Sequence, residues 1–321
     1  MVALSLSLLL AVQQPADTVA PAAAVESPFV AKSSVFTLYG TLTVPRGAAG
    51  AVPVVLIIAG SGPTDRNANS PMGVRSNTYA QLAWRLAERG VASLRFDKRG
   101  IAASRGTFDS ATMSHTTMQT YADDVRALAD TLHADRRFSK VVLAGHSEGS
   151  ALALMAANGG AQVAGVASLA GMGRPFAAVV REQLAAQLDS ATLKMYDTSM
   201  TAYLAGRDPA VPSYLAGLFV PVNRAYVKSM VDFDAKQVAR VPCPVLILQG
   251  DMDVQISVQD AEALRAARPS AKLVILPGDT HMFKPAASRD RTAQVRAYTD
   301  PTLAIDGRLV SELAGWIGEL K

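Results

Sequence analysis

Lys140-Val-Val-Leu-Ala-Gly-His-Ser-Glu-Gly-Ser-Ala-Leu-Ala-Leu154 decides the fold. It opens as an apolar run suited to a strand covered on both faces and closes on Ala and Leu, which favour a helix. Between the two, Gly145-His-Ser-Glu-Gly149 must reverse the chain in one sharp turn. A serine at the tip of such a turn has strained backbone angles, and glycines two residues to either side give the turn its room. The consequence is a Ser147 hydroxyl displayed at the end of a strand. Gly-x-Ser-x-Gly alone arises easily by chance, so the strand before and the helix after are what give it meaning.

The same alternation runs along the chain from Val35. Short β-branched runs occur at Val35–Val44, Pro53–Ala59, Val91–Phe96, Lys140–Ala144, Val163–Leu169, Pro244–Leu248 and Ala271–Leu276. Helical spacing appears between them at Tyr79, Leu82, Ala83 and Leu86, and at Tyr121, Val125, Leu128, Ala129 and Leu132. Strands alternating with helices predict an α/β fold, a mostly parallel central sheet with helices on both faces. One interval breaks the rhythm: from Gly171 to Arg240 the composition is helical and no strand is evident, more chain than a single crossover needs. Helices are expected there at Arg181 to Tyr196, Ser199 to Leu204 and Val222 to Phe233, forming a helical lid inserted at about 172–240 in a domain spanning 35–321.

The N-terminus reads differently. Leu4 to Val12 is apolar apart from Ser5 and Ser7, Pro15, Pro21 and Pro28 follow, and no Lys or Arg precedes Lys32. A run this short cannot span a bilayer, which takes about 20 residues. It suits a secretory h-region lacking the usual positive n-region. Residues 1–34 are therefore expected to be a signal peptide or disordered tail, which makes the protein secreted or periplasmic, with a cytoplasmic tail as the alternative. The lone Cys243 forbids an internal disulfide but does not decide the compartment.

Composition removes several classes. With 321 residues, 50% hydrophobic and 18% charged, the chain is too apolar to be disordered. The net charge of +4, with no block of five or more Lys/Arg, gives no nucleic-acid footprint. No nucleic-acid partner and no stable membrane span are expected.

A serine hydroxyl is a weak nucleophile at neutral pH; it needs an imidazole base, and that base needs a carboxylate to orient it. There are four histidines. If the base follows the nucleophile in the chain, His115 and His133 come too early and His146 is the immediate neighbour of Ser147, which leaves His281. It follows the strand Ala271–Leu276 through Pro277-Gly-Asp-Thr280, in a loop at the carboxyl edge of the sheet where ligands bind in open α/β folds. The carboxylate should follow the preceding strand, where Asp251 and Asp253 are the two choices. Asp253 is preferred, because Asp251 directly after Gly250 suits a turn cap. Asp279 is a distant third.

Backbone N–H donors for a developing oxyanion are expected from Glu148, at the start of its helix, and from the loop Gly60-Ser-Gly-Pro-Thr-Asp-Arg66. Ser61 is the favoured second donor, with Gly62 behind it. Gly62, Asp65, Arg66 and His146 are possible substrate contacts, although Asp65, Arg66, Asp97 and Arg99 also suit an ion-pair set that pins loops. The Glu148 side chain suits a helix N-terminus. Met195, Tyr196, Met200, Tyr203, Phe219, Tyr226, Met230 and Phe233 in the insertion suit packing, with a few left to line an acyl site.

Gly145-His-Ser-Glu-Gly149, Gly60-Ser-Gly-Pro-Thr-Asp-Arg66, Arg95-Phe-Asp-Lys-Arg-Gly100, Gln249-Gly-Asp-Met-Asp253 and Pro277-Gly-Asp-Thr-His281 together resemble bacterial secreted serine esterases of the α/β-hydrolase superfamily. Within it the chain is most similar to the branch that resembles dienelactone hydrolases and prolyl-oligopeptidase-like acyl hydrolases. The resemblance implies hydrolysis of small carboxylic esters through an acyl-enzyme, with no cofactor and no metal. It carries the nucleophile onto Ser147, the acid onto Asp253 and the base onto His281. The chain departs from the pattern at Ala59, where many members have the His of a His-Gly oxyanion loop. A monomeric or weakly associated serine hydrolase is expected. Thioester, lactone or aminopeptidase-type amide cleavage on the same triad are the nearest rivals, and a non-catalytic ligand-binding protein on the same fold is the rival of another class.

Overall fold

The computed structural model describes residues 19–32, 37–106 and 109–321. Ten strands are present among them: β1 (Ala24–Lys32), β2 (Thr37–Pro45), β3 (Val52–Ile58), β4 (Asn69–Ser70), β5 (Val74–Arg75), β6 (Ala92–Phe96), β7 (Phe138–His146), β8 (Gly165–Leu169), β9 (Val245–Gly250) and β10 (Lys272–Leu276). The helices are α1 (Thr78–Ala87), α2 (Ser110–Ser114), α3 (Met118–Ala134), α4 (Glu148–Asn158), α5 (Phe176–Ala185), α6 (Ser190–Leu204), α7 (Ser213–Ala216), α8 (Arg224–Val231), α9 (Val258–Ala267), α10 (Arg291–Thr299) and α11 (Gly307–Glu319). Eight strands form one sheet in the order β1-β2-β6-β3-β7-β8-β9-β10, antiparallel at β1/β2 and β2/β6 and parallel from β6 onward.

Period-two alternation explains why both faces are covered. Val54, Leu56 and Ile58 of β3 enter one core, with α3, α4 and α9 supplying Val125, Leu128, Leu152 and Leu264. Val55 and Ile57 enter the other, against Leu82 and Leu86 of α1 and Leu309, Leu313 and Ile317 of α11. Successive side chains on a strand point to opposite faces, so a continuous apolar run is what a strand buried on both sides requires. The chain leaves β3 toward β6 on one side and β7 toward β8 on the other. The ends of β3 and β7, paired at Ile58 and Gly145, therefore form the switch point where ligands lodge in such sheets.

The strands expected from the sequence are present, with ends displaced by a few residues. The expected tail is corrected in part: the run Leu4 to Val12 lies outside the described residues, but Ala24–Lys32 is the edge strand β1, paired with all of β2. Ala-Val-Glu-Ser-Pro-Phe-Val-Ala-Lys lacks a buried alternating face, so periodicity gave no sign of it. Polar anchoring holds it instead. Glu26 accepts from Trp84 Nε1 at 2.8 Å and Arg95 Nη2 at 2.7 Å.

In the insertion the first two expected helices are redrawn as α5 and α6. The break falls at Asp189, whose side chain caps α6 by accepting from the Thr192 N–H, and no break occurs before Ser199. Tyr196, Tyr203, Leu215 and Phe219 form a small core of the insertion's own. Met230 and Phe233 join the main core instead. No helix among the described residues is long and apolar enough to cross a membrane.

Candidate active site

Ser147 sits between β7 and α4 with φ 55° and ψ −121°, a conformation rare for a residue with a Cβ. Its N–H donates to Leu169 O of β8 at 2.8 Å, so the sheet itself holds the strained turn. The flanking glycines are required by contact. A Cβ on Gly145 would lie 2.1 Å from Gly149 O, and one on Gly149 would lie 2.3 Å from Ile58 O. The elbow is thereby pressed against the end of β3. Gly145→Ala is expected to destabilise the fold by at least about 3 kcal/mol, the upper end for overpacking, because backbone and not a mobile side chain must give way. Urea unfolding checks this; an unchanged midpoint would contradict it.

The loops after β9 and β10 bring two of the expected residues together. His281 Nδ1 lies 2.7 Å from Asp253 Oδ2, with the two residues 3% and 1% exposed. Asp253 Oδ1 accepts the N–H groups of Gln255 at 2.7 Å and Ile256 at 2.9 Å, and Gln249 Nε2 donates to Oδ2 at 3.1 Å. Burial acts to raise the Asp253 pKa, but His281 and the backbone donors outweigh it and hold the carboxyl below its usual range. Asp251, the other choice, accepts from Gly278 N at 2.7 Å and braces the turn before His281. Among the described residues Ser147 Oγ makes no hydrogen bond. The His281 ring instead packs 4.6 Å, centroid to centroid, from the ring of His146, the residue before the serine. Such serine–base bonds commonly tighten only with substrate bound.

His146 itself is fully engaged, which corrects its expected place among the substrate contacts. Its Nε2 lies 2.8 Å from His281 O, which can only accept, so Nε2 carries the proton. Nδ1 then accepts from Tyr79 Oη at 2.8 Å, and Tyr79 Oη accepts from Gly60 N at 3.1 Å. Burial, then the neighbouring His281, lowers its pKa to about 3 and keeps the ring neutral. One chain of bonds thus joins the loop after β3, the elbow and the loop bearing His281.

Gly60 also abuts Ser147: a Cβ there would lie 3.3 Å from Ser147 Cβ. Gly60 O accepts from Lys98 Nζ at 2.7 Å, and the same ammonium pairs with Glu148 Oε1 at 2.9 Å. Lys98 and Glu148 are 4% and 2% exposed, so the pair is buried. Removing either partner alone would strand a charge at a cost of about 3–5 kcal/mol. The Ser61 N–H has no acceptor among the described residues, and the Glu148 N–H opens α4, where no intrahelical acceptor exists. Gly62 has φ +72°, a backbone that only glycine adopts without strain.

Asp65 and Arg66 are turned to holding their own loop. Asp65 Oδ1 accepts from Asn67 N and Asn69 N, both at 2.8 Å, and Arg66 pairs with Asp97 at 2.8 Å. Arg99 pairs with Asp124 at 2.5 Å. The roles of Lys98 and Tyr79 are not read from the sequence: Lys98 stands within Arg95-Phe-Asp-Lys-Arg-Gly100, and Tyr79 reads as one apolar position of α1. A lysine two residues past strand β6, which must find a partner if buried, is the available signal for the first. Among the described residues no group of three or more His, Cys, Asp or Glu is placed to hold a metal ion.

The loop carrying His281 has a second buried carboxyl. Asp279 is fully buried; burial first, then the Asp306 carboxylate, raises its pKa to about 8. A carboxyl whose folded pKa exceeds its unfolded one adds stability that is complete below about pH 4 and is lost as pH rises through about 8. Asp279→Asn is expected to raise the melting temperature at pH 8 by about 2–4 °C, as ~1 kcal/mol does in a chain of this size, and to change it little at pH 4. Thermal melts across that pH range check the sign.

With this geometry in place, comparison with known proteins identifies its kin. A model of the family described as serine aminopeptidase, S33, matches residues 71–284, a span that includes Ser147, Asp253 and His281. Est1E from Butyrivibrio proteoclasticus, with ferulic acid bound, is 19% identical with a TM-score of 0.58 over 91% of this chain and 98% of its own. Dienelactone hydrolase from Anabaena variabilis is 19% identical with a TM-score of 0.52 over 93% and 99%. Proline iminopeptidase from Mycobacterium smegmatis is 14% identical with a TM-score of 0.58 over 91% and 98%. At these identities the likeness is one of fold alone. No curated protein sequence matches the chain.

Proposed function

The chain belongs to the serine aminopeptidase S33 family of the α/β-hydrolase superfamily, and from that membership we propose that it is a serine hydrolase cleaving carboxylic esters through an acyl-enzyme. Ser147 Oγ attacks the ester carbonyl carbon as its proton passes to His281 Nε2, and Asp253 holds the opposite nitrogen protonated and oriented. The carbonyl oxygen becomes an oxyanion facing the N–H groups of Glu148 and Ser61. Collapse expels the alcohol, which takes the proton from His281. Water, deprotonated by the same imidazole, then releases the acid and restores Ser147.

The observation that carries this reading is the buried 2.7 Å Asp253–His281 pair at the same sheet edge as the strained Ser147. Support for esters over amino-terminal peptide bonds comes from the carboxylates nearby. A free amine needs an uncommitted acid; Glu148 is neutralised by Lys98 and Asp65 is bound by its own loop. The helical insertion serves as a lid: Phe176 and Val179 of α5 pack with Ile256, three residues from Asp253, so its closure and the acid loop are in contact.

The test is a p-nitrophenyl ester series from acetate to palmitate run beside a thioester and an aminoacyl anilide, with fluorophosphonate labelling of the purified protein. Ester turnover with labelling at Ser147 is expected. Labelling with anilide turnover alone would shift the reading to an aminopeptidase, and neither labelling nor turnover would leave a ligand-binding protein.

A further inference from the structure

Lys98 occupies a position that the triad does not explain. Its ammonium is buried, lies 5.5 Å from the centre of the Tyr121 ring, and spends two of its donors on Gly60 O at 2.7 Å and Glu148 Oε1 at 2.9 Å. Those two acceptors belong to the residues on either side of the proposed oxyanion site. We propose that Lys98 is the positioning residue of that site, orienting one donor and cancelling the charge beside the other. The inference rests on the serine-hydrolase reading above.

The orienting half follows from peptide geometry. In a planar trans peptide the C=O and the next N–H point in opposite directions. Lys98 fixes Gly60 O, so the Ser61 N–H of the same peptide must point away from the Lys98 ammonium. Tyr79 fixes the other side of Gly60 through its N–H, which leaves the Gly60–Ser61 peptide little freedom to rotate. A donor held in place before the reaction needs no reorganisation as charge develops.

The electrostatic half follows from where Glu148 sits. Its N–H is a donor to the oxyanion, while its own side chain is a carboxylate 2% exposed. Uncompensated in a poorly screened interior, that negative charge would oppose the one forming on the substrate. Lys98 is its one cationic partner among the described residues, and the Tyr226 hydroxyl is a neutral one. The partly buried Tyr226 of α8 feels the same carboxylate: desolvation, then the Glu148 charge, pushes its hydroxyl well above the usual range and keeps it protonated. Tyr226 also packs edge-on against Tyr121 at 5.4 Å, so the insertion covers the Lys98–Glu148 pair. A lysine suits this place because a compact ammonium with three donors can serve a carbonyl and a carboxylate at once.

The experiment compares wild type, Lys98→Met and Lys98→Met/Glu148→Gln for kcat and KM on p-nitrophenyl acetate and for the rate of fluorophosphonate inactivation, with near-UV circular dichroism to report folding. Folded Lys98→Met should lose about 10²–10³-fold in kcat, the scale of one oxyanion donor, with KM within about threefold and inactivation slowed in parallel. The double variant should regain about tenfold, because no bare carboxylate remains while Gly60 O is still unheld. If the single variant does not fold, the double variant decides: kcat at least about tenfold below wild type supports the proposal, and parity overturns it. Folded Lys98→Met with wild-type kcat, or with a change in KM alone, overturns it too, as does a double variant no faster than the single. A wild-type protein inert to both ester and probe would overturn the hydrolase reading itself, which is a separate result.

Discussion

Ser147→Ala is expected to abolish fluorophosphonate labelling and to lower ester kcat by about 10⁴–10⁶-fold, with the melting temperature unchanged within a degree or two. The size of the loss comes from the way a nucleophile, base and orienting acid act as one unit, so that removing the nucleophile forfeits the covalent route altogether. What remains is the rate that oxyanion donors and binding alone supply, about 10³-fold over water in comparable sites. The fold survives because the strain belongs to the backbone. Alanine has the same Cβ as serine and meets the same φ of 55°, the bond from residue 147 N–H to Leu169 O is a main-chain bond, and Ser147 Oγ holds nothing in place. His281→Ala should match the kinetic loss, although it also removes a ring packed on His146 and bonded to Asp253, so its melting temperature should fall. Retention of more than about 1% of turnover by folded Ser147→Ala would mean that another group carries the reaction.

How much of this was legible in the sequence depended on whether a feature was local. The parallel strands announced themselves because a strand buried on both faces must be apolar at consecutive positions, as Pro53–Ala59 and Val141–Ala144 are. The elbow was legible because strand, turn and helix follow one another within fifteen residues of Lys140. His281 and the two aspartates after β9 could be nominated by elimination, since chain order and strand ends restrict where a base and acid would stand. Edge strand β1 was not legible, because its stability comes from Glu26 reaching Trp84 and Arg95, partners remote in the chain and unrelated to periodicity. The break at Asp189 was missed because a capping aspartate within a helical composition looks like any exposed polar residue. His146 was misjudged for a related reason. Beside Ser147 it invites a reading as a substrate contact, and only the packing of three loops shows both its nitrogens occupied. Lys98 could be suspected but not assigned, since its two acceptors are brought to it by the strand order alone.

The choice between Asp251 and Asp253 is the sharpest remaining test of the site, and Asp253→Asn is expected to lower kcat/KM by about 10⁴-fold while Asp251→Asn lowers it less than about tenfold. An ionised Asp253 accepts the Nδ1–H of His281 and leaves Nε2 bare to take the Ser147 proton. Asparagine can offer its own N–H instead, and the imidazole then moves its proton to Nε2, the tautomer that cannot act as a base. The loss should fall on kcat, and folding should hold, because the asparagine carbonyl can still accept from Gln255 N and Ile256 N as Asp253 Oδ1 does. Asp251 is different in kind. Its Oδ1 accepts from the Gly278 N–H at 2.7 Å, a bond an amide carbonyl replaces, and it makes no bond to His281. Side-by-side kinetics on one ester separate the two: a severe Asp251→Asn beside a mild Asp253→Asn would mean that the base takes its orientation from the other carboxylate, and that the 2.7 Å contact is structural.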